Sequence, residues 1–114
     1  MTADYNIAAG FCRTAAARPD LLALAVDKAD YSYGALHGIV ARLAALFRAG
    51  GAPRRIGVLA TRTMEAYAGI LAAGMAGATY VPLNLIWPSE RLVALLRLLE
   101  LDALVVDVNG AALL

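Results

Sequence analysis

Sulfur and imidazole chemistry have almost no material in this chain: its 114 residues contain one cysteine, Cys12, and one histidine, His37. A lone cysteine cannot close an intrachain disulfide, which favours a reducing compartment, the cytoplasm. Metal sites need clustered His, Cys or carboxylates, and no such cluster is legible in the spacing. A Cys–His nucleophile pair would lack a third group to orient it. Cys12 is therefore expected to be a small buried apolar residue. His37 is expected at the edge of a packed helix face. Lysine is as scarce, with Lys28 the only one. A P-loop needs glycines followed by Lys and Ser or Thr, and Lys28 has no glycine beside it. The dinucleotide fingerprint is missing too, because Thr61-Arg62-Thr63 follows the first long apolar strand without a glycine.

Charge is low and level. Ten Lys plus Arg oppose nine Asp plus Glu, and charged residues make up 17% of the chain. Arg54-Arg55 is the densest basic point, so nucleic acid has little electrostatic reason to bind. Apolar residues reach 61% before glycine is counted, against roughly 45–50% with glycine in an ordinary domain. Either the chain enters a membrane, or its sheet needs more cover than one small domain supplies. The longest uncharged stretch, Ala66 to Trp87, is long enough to span a bilayer. Its first half suits a helix and Thr79 to Leu83 suits a strand, a combination that leaves backbone groups unsatisfied in lipid. No membrane span is expected. With Asp4 early and no basic region before an apolar run, the N-terminus does not resemble a signal peptide.

The order of elements follows from periodicity. A helix is expected from about Asn6 to Ala17, with Ile7, Phe11 and Ala15 on one face and Pro19-Asp20 stopping it. Leu21 to Val26, a turn over Asp27 to Asp30, and Tyr31 to Tyr33 suggest a hairpin. Ser32 then caps a long helix striped by Leu36, Val40, Leu43 and Phe47, ended by Gly50-Gly51 and Pro53. Ile56 to Ala60 is a strand. Thr61 or Thr63 opens the next helix, with Glu65 in its first turn, and Gly77 closes it. Tyr80 to Leu83 is a strand, Pro88-Ser89-Glu90 starts a helix, and Leu104 to Asp107 is the last strand. Strand, helix, strand, helix, strand from Ile56 onward implies a parallel sheet within one α/β domain.

Candidate chemistry is thin. Asp107 ends a parallel strand, where open α/β sheets place ligands, or it is a strand-terminating turn residue. Arg62 carries the same two readings. Glu90, Glu100 and Asp102 are expected in solvent. Tyr31, Tyr33 and Trp87 are expected to pack against helices. No catalytic, cofactor-binding or metal-ligating residue can be assigned from these patterns.

Order and spacing add a resemblance. The chain contains Pro19-Asp20, Tyr31-Ser32-Tyr33-Gly34-Ala35-Leu36, Ala41-Arg42-Leu43-Ala44 and Ile56-Gly57-Val58-Leu59, then Glu65-Ala66. Ala76-Gly77-Ala78-Thr79-Tyr80-Val81-Pro82-Leu83-Asn84, Pro88-Ser89-Glu90-Arg91-Leu92 and Leu104-Val105-Val106-Asp107 follow. The series resembles the N-terminal part of adenylate-forming ligases: nonribosomal peptide synthetase adenylation domains, D-alanine-carrier ligases and acyl-CoA synthetases. Ala35 departs from a common Glu that completes a capping box with the Ser32 hydroxyl. His37 stands where Asn is frequent, and Asn84 where peptide-synthetase domains usually have Asp.

The resemblance implies that residues 1–114 are an incomplete adenylation domain, part of the large N-terminal domain of such an enzyme. The complete enzyme would use ATP and magnesium to activate a carboxylate, an amino acid above all, and pass it to a carrier-protein thiol or coenzyme A. None of the family's catalytic motifs matches here, and with Lys28 the only lysine neither family lysine is present. This chain is then scaffold, its partner is the remainder of the domain, and alone it self-associates. Two other readings stay open: a non-catalytic interaction module descended from such a ligase, and a small enzyme with its own site near Asp107 and Arg62.

Overall fold

A computed structural model describes residues 7–26 and 28–114. Helix α1 spans Ile7–Ala17, and strands β1 (Leu22–Val26) and β2 (Ala29–Ser32) form an antiparallel hairpin. Helix α2 covers Tyr33–Arg48, followed by β3 (Arg55–Leu59), α3 (Met64–Met75), β4 (Thr79–Pro82), α4 (Ser89–Leu99), β5 (Ala103–Val106) and a short α5 (Val108–Ala111). Strands β3, β4 and β5 are parallel, in the order β4-β3-β5. The α/β architecture with a parallel layer after a helix and a hairpin is the one the periodicity implied.

Boundaries moved for local reasons. The expected helix start at Asn6 and the hairpin residue Asp27 lie outside the described residues. Strand β2 begins at Ala29, inside the expected turn, and Lys28 turns the chain with φ 63°. Tyr33 belongs to α2, because Ser32 caps that helix: the Ala35 amide donates to Ser32 Oγ at 3.1 Å. The last strand stops at Val106, and Asp107 caps α5, an element the periodicity did not reveal.

The core is layered around α3. Ala68 and Ala72 meet Leu36, Val40 and Ala44 of α2, while Ala66 and Ala73 meet Ile56, Val58 and Val105 of the sheet. A helix apolar on every side is a buried helix, and α3 is covered by α2 on one flank and the sheet on the other. Its small side chains permit the close approach: a Cβ at Gly69 would sit 2.9 Å from Val105 Cγ1. On the opposite sheet face, Leu92, Leu96 and Leu99 of α4 pack with Leu59, Leu83 and Leu104. Both faces of β3 are thereby sealed, and Ile56 and Leu59 are each 0% exposed.

Two backbone positions constrain the substitutions this fold accepts. Gly77 exits α3 with φ 81°, a left-handed conformation that glycine adopts without Cβ strain. Glu100 occupies the same kind of position after α4, with φ 50°, although it has a Cβ. Among the described residues it pairs with Arg55 at 4.0 Å, an exposed contact worth little. Glu100→Gly should therefore stabilise the chain by roughly 0.5–1 kcal/mol, read as a higher urea midpoint with unchanged slope. A lower midpoint would show that Glu100 contributes more than its strain costs.

Candidate functional site

Strands β4 and β5 lie on opposite sides of β3, so the chain reverses its winding direction at the carboxyl ends of β3 and β5. Open α/β sheets bind ligands in the crevice at such a switch point. Here the crevice is an open cleft of roughly 520 Å³ lined by Thr61, Arg62, Thr63, Glu65, Asp107 and Asn109, with Val108 beside them. The structure thus brings together Asp107 and Arg62, the two residues with an open functional reading.

What Asp107 does there is structural. Its Oδ2 accepts hydrogen bonds from Thr61 N at 2.7 Å, Thr61 Oγ1 at 2.7 Å and Thr63 Oγ1 at 3.0 Å. Its Oδ1 accepts from Gly110 N at 2.8 Å, capping α5. Asn109 Nδ2 in turn donates to Thr61 Oγ1 at 3.1 Å. The carboxylate ties the β3–α3 loop to the end of β5. Thr63 consequently starts α3 without a side-chain cap bond, because its hydroxyl is turned to Asp107.

Burial favours the neutral acid, yet the donors from Thr61, Gly110 and Thr63 outweigh it and hold the Asp107 carboxyl well below the usual carboxylate range. An anion so weakly basic, with both oxygens occupied, is a poor general base. The Thr61 amide, which could have met a ligand at the end of β3, is also taken. Arg62 and Glu65 are exposed in the same cleft. No group of three or more His, Cys, Asp or Glu able to hold a metal is found among the described residues.

The other singled-out residues are dispersed. His37 is half-buried and its ring stacks on Phe11, centroids 5.9 Å apart, at the edge of the α1–α2 contact. Phe11 also meets Tyr33 at 5.8 Å. Cys12 is half-buried, where full burial was expected, because α1 is a surface helix. Arg91 lies over the Trp87 ring at 5.4 Å. Glu90 and Glu100 are exposed as expected. Asp102 is exposed but bonded, accepting from the amides of Arg54 at 2.7 Å and Arg55 at 3.0 Å. The Arg55 and Arg54 amides lower its pKa. Asn84 accepts from the Ile86 amide at 2.9 Å; this turn needs only a side-chain oxygen, which Asn and Asp both supply.

Sequence reasoning missed the Thr61–Thr63–Asp107 clamp, since its members are more than forty residues apart. The one local signal was Asp107 three residues before Gly110, an N-cap spacing. That glycine is obligatory, because a Cβ there would collide with the Leu59 carbonyl oxygen.

A model of the AMP-binding enzyme family matches residues 11–113. The chain belongs to that family. Dimodular nonribosomal peptide synthase from Bacillus subtilis is 35% identical over 89 residues, covering 76% of this chain and 4% of that protein. One of the polypeptides of the linear gramicidin synthase from Brevibacillus parabrevis is 37% identical over 76 residues, 65% of this chain and 2% of that one. The crystal structure of IdnL7 shares 38% identity with a TM-score of 0.81, over 97% of this chain and 22% of its own. The Vibrio cholerae adenylation domain AlmE, solved with glycyl-adenosine-5'-phosphate, is 25% identical with a TM-score of 0.81, over 96% of this chain and 20% of its own. The N-terminal domain of FACL13 from Mycobacterium tuberculosis shares the fold, with a TM-score of 0.82 at 20% identity over 95% of this chain and 28% of that one. The chain therefore spans a few per cent of the synthetases' length and about a fifth of IdnL7 and AlmE.

Replacing Asp107 by Asn swaps one oxygen for an NH2 group facing donors, so it should cost about 1–3 kcal/mol. A carboxylate with a depressed folded-state pKa gives stability present above its unfolded pKa, about 3.9, and lost as pH falls through the folded value. Urea unfolding from pH 7 to pH 3 should show stability falling with acid below about pH 4, less steeply in Asp107→Asn. Equal acid slopes for the two proteins would contradict the clamp.

Proposed function

We propose that this chain is the N-terminal scaffold of an ATP-dependent, carboxylate-activating adenylation domain, amino-acid-activating above all. In the complete enzyme the substrate carboxylate attacks the α-phosphate of ATP, forming acyl-AMP and releasing pyrophosphate. A thiol then displaces AMP and takes the acyl group as a thioester. Peptide-synthetase relatives at 35% and 37% identity favour a carrier-protein thiol as acceptor. Coenzyme A is the alternative acceptor. ATP with magnesium, the rest of the domain and a cytoplasmic setting belong to this reading, and no catalytic residue is assigned within residues 1–114.

The observation that carries the proposal is the unfinished state of the layer. A parallel sheet is ordinarily buried on all sides, yet this one ends at β4 and β5 after three strands. Large apolar side chains face outward, with Ile86 86%, Val108 85% and Leu98 78% exposed. Polypeptide packed over these positions would account for them, and the relatives carry several times more chain. No described helix is long and apolar enough to cross a membrane. Without such cover, the isolated chain is expected to self-associate.

The test is amino-acid-dependent ATP–pyrophosphate exchange. Residues 1–114 alone should show none. A chimera in which they replace the matching segment of an IdnL7-type enzyme should be active. Exchange by the isolated chain, or a folded but inactive chimera, would overturn the proposal.

A further inference from the structure

We propose that Asn109–Gly110 is a latent deamidation site, held unreactive by the Asp107 clamp and exposed to reaction whenever the clamp lets go. The inference concerns a chemical modification of the chain and stands apart from the functional reading above.

The chain has three asparagines, Asn6, Asn84 and Asn109, and Asn109 alone precedes a glycine. Deamidation begins when the backbone nitrogen of the next residue attacks the asparagine Cγ. Here a bond would form between Gly110 N and Asn109 Cγ while the Cγ–Nδ2 bond breaks. The amide proton leaves with Nδ2 as ammonia. Water then opens the cyclic imide at either carbonyl, leaving aspartate or isoaspartate. Glycine favours the attack because it has no side chain in the way and its backbone turns freely. Ile7 after Asn6 and Leu85 after Asn84 obstruct it.

The folded geometry opposes each requirement. The attacking nitrogen must lose its proton, yet Gly110 N donates that proton to Asp107 Oδ1 at 2.8 Å. A carboxylate beside it also disfavours the amide anion through like charge. The Asn109 Cγ must swing toward Gly110 N, yet Asn109 Nδ2 is tethered to Thr61 Oγ1 at 3.1 Å. Rotation of the peptide is confined, since Gly110 is buried with no room for a Cβ against the Leu59 carbonyl oxygen. All these contacts lie within residues 59–110, so they hold whatever covers the sheet edges.

The product does not suit the clamp. Aspartate at 109 replaces the donor facing Thr61 Oγ1 by an acceptor. It also adds an anion to a cleft that already holds Asp107 and Glu65 against Arg62. Isoaspartate lengthens the main chain by one carbon where Gly110 passes Leu59. Reaction therefore converts a reversible opening into a lasting one.

The test is a time course of the 114-residue chain at mildly alkaline pH, with deamidation at each asparagine read by peptide mass mapping and isoaspartate detection. In concentrated urea Asn109 should react well ahead of Asn84. In buffer it should react at least about a hundredfold more slowly, because the rate follows the open population. Thr61→Val frees the Asn109 carboxamide and Asp107→Ala frees the Gly110 amide. These losses should raise the folded-state rate about fivefold and about tenfold respectively. Ser32→Ala removes the α2 cap and weakens the fold at a distance, so it should leave the rate unchanged. If Asp107→Ala does not fold, it reacts at the urea rate and Thr61→Val decides. Equal rates at Asn109 in buffer and urea, no acceleration in Thr61→Val, or equal acceleration in Ser32→Ala would refute the gating.

Discussion

Every layer of this molecule leans on β3. Among the described strands it alone is bonded on both edges, and its side chains are buried against α3 on one face and against the α4 layer on the other. Burial of apolar area at about 25 cal/mol per Å² makes such a strand the largest single source of stability in a small sheet. It also dictates its neighbours. The buried positions of α3 are all Ala or Gly, which lets the helix fit between α2 and the sheet. The chain leaving β5 must carry Gly110 to pass the Leu59 carbonyl. The loop after β3 must supply donors to Asp107, because that carboxylate is 6% exposed and needs partners.

The same constraint explains why the cleft at the switch point is quiet. Fold topology puts it where ligands bind in open α/β sheets, but the chain uses its own anion, Asp107, to satisfy the groups that a ligand's phosphate would otherwise meet. The position is ligand-like in place and structural in use. In the proposed reading this layer serves as scaffold for residues elsewhere in the complete enzyme.

The fold was legible to the extent that it obeyed local rules. Periodicity placed α2 and α3, the Ser32 cap set the start of α2, and Gly77 set the exit from α3. The continuous apolar strands gave the parallel sheet. Errors came where a partner remote in sequence decided the outcome. Val108–Ala111 forms a helical turn because Asp107 caps it and Leu59 packs on it, and neither fact has a local periodic signature. Asp102 looked like a solvated charge, yet it anchors the amides of Arg54 and Arg55. Motif order across the chain carried the family resemblance, which the thin pattern of titratable side chains alone could not.

Apolar excess and open edges are two aspects of one condition: a sheet whose cover is incomplete. Native-state hydrogen exchange measures that cover amide by amide, in the 114-residue chain and in the same segment embedded in a full-length adenylation enzyme. Amides of β3 should be protected in both. Those of α4 should exchange far faster in the isolated chain and slow once the rest of the domain is present. Equal protection of α4 in the two settings would mean that its faces are already covered, and would contradict the account.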